Sequence, residues 1–136
     1  MKNNIKYLII IFLTFSSCEK ENKNKIQISN SDVSLKLPKK ITADSYNPKS
    51  ICECNTDGTQ VLNQLLKKRK KFKNMNELGK NANASEYVKL LQKNWDTIRW
   101  ECLKTFGTGM FTPSQCNDPD NIQSIKDTLL KLDIKT

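Results

Sequence analysis

The chain contains no histidine among its 136 residues. That removes the side chain most often used as a general base near neutral pH, and the commonest protein ligand of transition metals. Ser/His/Asp and Cys/His arrangements for nucleophilic catalysis are thereby excluded. Paired carboxylates remain, but Asp96 and Glu101 are five apart and do not share one helical face. Gly107-Thr108-Gly109 has neither the lysine nor the following helix of a phosphate-binding loop, and reads as a helix stop. No internal repeat is visible. No apolar run approaches the roughly 20 residues needed to span a bilayer. The chain is not expected to be an enzyme, and no cofactor and no metal are expected.

What is present begins with the N-terminus. Lys2 and Lys6 form a positive head without an acid, residues 7–15 are apolar except for Thr14, and Ser16-Ser17-Cys18 follows. Positive head, short apolar middle and small residues before a cut are the parts of a secretory signal, so residues 1–17 are set apart from the fold. Phe15-Ser16-Ser17-Cys18 resembles the lipobox of bacterial lipoproteins, with Phe15 standing where an aliphatic residue is usual. The resemblance covers the first 18 residues, and the charged Glu19-Lys20-Glu21 after the cysteine is similar to lipoproteins of the Bacteroidota. It implies diacylglycerol and palmitate-type acylation of Cys18, and residence in the cell envelope, at the periplasmic or surface face of the outer membrane. Two or more acyl chains hold a protein firmly where one holds it marginally.

Removing 17 residues from 136 leaves 119, enough for one domain. Lys2 and Lys6 leave with the signal, so 21 basic residues face 14 acidic ones, a net charge of about +7. Such a charge favours anionic partners. Nucleic acid is not expected of an exported, anchored chain, so lipid head groups, acidic glycans or an acidic protein face remain.

Four cysteines follow the anchor: Cys52, Cys54, Cys102 and Cys116. An even number in an exported chain points to disulfides. A Cys52–Cys54 bridge closes a very tight loop, so each of these is expected to reach Cys102 or Cys116, in either pairing. A four-cysteine zinc site fits poorly, because Cys-x-Cys is tighter than zinc knuckles use.

The fold class read from the pattern is mainly α: a small three-helix domain braced by disulfides, behind a tether and a short extended segment. Residues 18–32 read as the lipidated cysteine and polar tether, 33–56 as extended chain, and 57–136 as the helical domain. Val33, Leu35 and Leu37 alternate as a short strand would before Pro38. The first helix is placed from Asp57 as N-cap with Gln60 in the capping-box position, along a stripe of Val61, Leu62, Leu65, Leu66, Phe72 and Met75 to Gly79. A turn at 81–84 and a cap at Ser85 open the second, with Val88, Leu91, Trp95, Ile98 and Cys102 inward and Gly107 as its stop. Asp118-Pro119 opens the third, with Ile122, Ile125, Leu129 and Leu132 on one face.

Candidate binding residues fall in two groups. Lys67, Lys68, Arg69, Lys70 and Lys71 are consecutive and cover more than one helical turn, either as a solvated face or as a site for anionic lipid, glycan or an acidic partner. Trp100 and Phe111 are aromatics at the edge of the core or exposed as interface anchors. The leading expectation is a non-catalytic lipoprotein that binds an envelope protein, as accessory subunit, inhibitor or immunity-type protein. Binding of anionic lipid or glycan through the basic helix and a structural spacer role are the alternatives.

Overall fold

The computed structural model describes residues 36–136. Cys18, the signal, the expected tether and two residues of the expected strand, Val33 and Leu35, lie outside the described residues. Four helices and no strand are present among the described residues: α1 (Ile51–Arg69), α2 (Met75–Lys80), α3 (Ala82–Phe106) and α4 (Pro119–Lys131). Short 3-10 turns stand at Ala43–Ser45 and Gly107–Phe111. The expected α class with disulfide bracing is what is found.

α1 begins earlier than Asp57. Ser50 is its N-cap, accepting from the Glu53 amide at 3.1 Å, while Glu53 Oε2 accepts from the Lys49 amide at 2.8 Å. One amide donor that helix formation leaves free, and the amide just ahead of the cap, are thereby satisfied. Cys52 and Cys54 therefore sit in the first turn of a helix and not in extended chain. Asp57 does other work: its Oδ2 accepts from the Tyr46 hydroxyl at 3.1 Å. Gly58 lies mid-helix because Trp95 packs there. A Cβ would stand 2.9 Å from Cζ3 of that ring.

The expected first helix also breaks in two. After Arg69 the chain tightens, with the Lys71 amide bonding Lys68 O and the Phe72 amide bonding Arg69 O. Asn74 then caps α2 by accepting from the Glu77 amide at 2.9 Å, and Glu77 reaches back to the Lys73 amide, repeating the device at Ser50. Met75 is exposed, and Leu78, outside the expected stripe, is buried. Gly79 lies inside α2 and does not end it. Nor is 81–84 a turn: Asn81 closes α2 and caps α3, its Oδ1 accepting from the Ala84 amide at 2.9 Å.

The later boundaries fall where expected. α3 stops at Gly107, whose φ of 56° favours glycine. Asp118 caps α4 by accepting from the Asn121 amide at 2.9 Å, with Pro119 in the first turn. α1 packs against both α3 and α4, and its Leu62 and Leu65 are sealed in the core with Leu91, Ile98 and Leu129. Past α4, Asp133 takes a positive φ of 63° and lets the Ile134 amide bond Leu129 O, which tucks Ile134 into the core.

Leu37 is in irregular chain and exposed, so it forms no strand. What fastens that segment is Asn94, 2% exposed in the middle of α3. Its Nδ2 donates to Lys39 O at 2.9 Å and its Oδ1 accepts from the Ile41 amide at 2.9 Å. A primary amide matches one backbone donor and one acceptor at once. Residues 39–41 are thus fixed to the helix without a sheet.

Candidate functional site

Two bridges close the fold, Cys52–Cys116 and Cys54–Cys102. Each partner of the Cys-Glu-Cys pair reaches one distant cysteine, as expected from the spacing, and the structure supplies the pairing. Both bridges leave the first turn of α1, one to the end of α3 and one to the loop before α4. The same loop is held from within by Asn117, whose Nδ2 donates to Met110 O at 2.9 Å and to Thr112 O at 2.8 Å. Its Oδ1 accepts from Asn55 of α1 at 3.3 Å. Sequence reasoning passed over Asn117 and Asn94, although Asn94 adjoins the core residue Trp95 on the apolar face of its helix.

At this braced end lies an apolar cleft of about 160 Å³. Its walls are Ile51 and Cys54 of α1, Ile98 and Leu103 of α3, and Ile122 of α4, with Trp95 among them. Met110 and Phe111 border it from the 3-10 turn, and Phe111 stays 64% exposed. Arg99 and Lys126 are the charged residues of the lining, which holds no carboxylate. Trp95 is nearly buried and its indole Nε1 has no hydrogen-bond partner among the described residues. Trp100 is equally exposed at 64% but does not line the cleft. The two aromatics therefore do not form one site.

The five consecutive basic residues separate into three fates. Arg69 is 2% exposed and structural: Nε donates to Leu132 O at 2.9 Å and Nη1 to Phe72 O at 2.7 Å, tying the ends of α1 and α4 together. Lys70 is exposed, and its side chain has no hydrogen bond or ion pair among the described residues. Lys67 and Lys68 stand in the last turn of α1, and Lys71 in the turn just past it. They line a concavity of about 290 Å³ with Gln64, with Tyr87 of α3 and with Lys36 of the N-terminal segment.

Lys68 is 9% exposed, and its Nζ stands 5.1 Å from the centroid of the Tyr87 ring. Loss of water, then the neighbouring Lys71 charge, hold its pKa below the ordinary lysine value. The long stem is covered by Tyr87 while the ammonium stays at the edge of the concavity, open to solvent. Tyr46 is perturbed in the opposite sense: burial, then Asp57, raise its pKa above the ordinary phenol value, so it stays neutral and a donor.

The two surfaces sit near opposite ends of α1. Twelve residues separate Asn55 from Lys67, which is roughly 18 Å along a helix. The fold is thus a small disulfide-braced helical domain with an apolar cleft at one end and a lysine-lined concavity at the other. No family model, no curated protein and no solved structure matches the chain. Disulfides belong to oxidising compartments, so the domain is of an extracytoplasmic kind. None of the helices among the described residues is long and apolar enough to cross a membrane.

Proposed function

We propose that the chain is a non-catalytic lipoprotein of the bacterial cell envelope, anchored by lipid on Cys18, whose domain binds another protein. The role is that of an accessory subunit, inhibitor or immunity-type protein. The observation that carries this reading is the apolar cleft with exposed Phe111 at its rim. A cavity near 150 Å³ accepts one benzene-sized group, so a cleft of about 160 Å³ suits one ring- or leucine-sized side chain of a partner. Arg99 and Lys126 beside it favour carboxylates flanking that side chain. Two disulfides and the Asn117 bonds hold the rim in place before binding, which lowers the ordering cost of association.

The test is recovery of the tagged, lipidated protein from its own cells in mild detergent, then reconstitution with the purified partner. One stoichiometric envelope protein is expected, and Phe111→Ser should weaken the reconstituted complex by about tenfold or more, as loss of a central aromatic anchor does. The joint change Lys67→Gln and Lys71→Gln should leave it intact. Recovery of the chain alone overturns the reading, as does a partner that binds Phe111→Ser equally well. A spacer role predicts that first result.

A further inference from the structure

We propose that the concavity lined by Lys36, Gln64, Lys67, Lys68, Lys71 and Tyr87 is a binding site for a phosphate-type oxyanion, carried either by a lipid head group or by a soluble phosphorylated ligand. It is independent of the protein-binding cleft, from which it is separated along α1.

Three observations carry it. The four lysines come from two stretches of chain: Lys67 and Lys68 from the end of α1 with Lys71 from the turn after it, and Lys36 from the segment that Asn94 clamps onto α3. A solvated helix face needs no ammonium brought to it from elsewhere, and like charges gathered in one hollow repel. Next, no carboxylate answers them. The ion pairs among the described residues are Arg99–Asp96 and Lys104–Glu101, and the lining contains no acid. Last, the Lys68 stem is packed against Tyr87, which holds its ammonium 5.1 Å from the ring centroid with no anionic partner among the described residues. The charge is thereby held at the wall of the hollow, where an anion can reach it.

The chemistry of the lining selects the anion. A single carboxylate would leave most of four positive charges uncompensated, whereas a phosphate monoester brings a charge near −2 on three acceptor oxygens. Lysine binds phosphate as a mobile point charge, and Gln64 and the Tyr87 hydroxyl add neutral donors. Neither of those side chains makes a hydrogen bond elsewhere among the described residues. The favourable position of cations at a helix C-terminus accounts for lysines on α1. It does not account for Lys36, which comes from outside that helix.

The experiment uses the full mature chain carrying Cys18→Ser, so that no acyl chain binds vesicles on its own account. One arm titrates it with pyrophosphate by calorimetry at low salt. The other sediments it with vesicles of phosphatidylcholine, with and without phosphatidic acid. Binding is expected in at least one arm, and the arm that responds identifies the soluble or the lipid source. In that arm Lys67→Gln with Lys71→Gln should weaken binding by about tenfold or more, while Lys70→Gln, their neighbour in the chain but outside the hollow, should change it by less than about twofold. Both lysines to be replaced are exposed, so the variants keep the fold. Absence of binding in both arms overturns the site. Equal weakening by Lys70→Gln does so too, because it would show a diffuse field and not a hollow.

Discussion

Arg69 and Lys70 are neighbours in a run of like residues, yet only one of them is fixed by the fold. The planar guanidinium of Arg69 spans two carbonyl oxygens that no other described donor serves, those of Phe72 and Leu132. Its removal unmakes two charge-assisted bonds and leaves two acceptors short. Arg69→Ala is expected to cost about 2–4 kcal/mol in urea denaturation, and Lys70→Ala less than about 0.5. Arg69→Lys should restore little, because an ammonium lacks the fork that reaches both carbonyls. Matching midpoints for Arg69→Ala and Lys70→Ala would remove Arg69 from the framework and return it to the candidate anion-binding residues. The separation of these fates was not legible in the sequence. Five consecutive basic residues state how much charge is present, but the side chain that turns inward is chosen by the α4 terminus, which lies 63 residues away in the chain.

At the scale of elements, the two disulfides have nearly equal chain-entropy effects but unequal surroundings. They join residues 64 and 48 apart, for which loop closure gives about 4 kcal/mol in either case. Cys54 and Cys102 are buried between α1 and α3, whereas Cys116 is exposed on its loop. Replacing Cys54 and Cys102 by Ala should therefore lower Tm more than replacing Cys52 and Cys116, since core contacts go with the bridge. Equal or reversed shifts would show that the loop closures alone matter. Elements were legible wherever a cap and an apolar period agreed: Gly107, and Asp118 with Pro119, stand where the sequence put them. The start of α1 was misplaced although Ser50 and Glu53 have the capping-box spacing, because Cys-Glu-Cys was assigned to extended chain and Asp57 offered a second cap. The break after Arg69 had no local marker. Gly79 drew the boundary away from it, and Asn74, the true cap, resembles every other asparagine in this part of the chain. Of the cleft, Phe111 was legible as an aromatic in a loop, but its company was not, because Ile51, Leu103 and Ile122 come from three different helices.

For the whole molecule, the proposed anchor and the charge act through different physics, and salt distinguishes them. Between Cys18 and Lys36 lie the 17 residues 19–35, which cannot span more than roughly 60 Å even fully stretched. Acyl chains in a bilayer are held by apolar transfer, which salt does not screen, at about 0.8 kcal/mol per buried CH₂. Lysine attraction to anionic head groups is about 1 kcal/mol per residue and decays over a Debye length of about 3 Å at 1 M salt. Wild-type protein should therefore stay with sedimented membranes through a 1 M salt wash, on the scale where that screening is nearly complete (about 3 Å). Protein carrying Cys18→Ser should appear mainly in the soluble fraction, and whatever remains on membranes should leave with the same wash. If the wild type washes off, lipid does not hold it, and the cut before Cys18 is an ordinary signal cleavage. If Cys18→Ser protein resists the wash, something other than lipid or charge anchors it, and an apolar contact with a membrane protein through the cleft becomes the first explanation to test, by adding Phe111→Ser to the same variant.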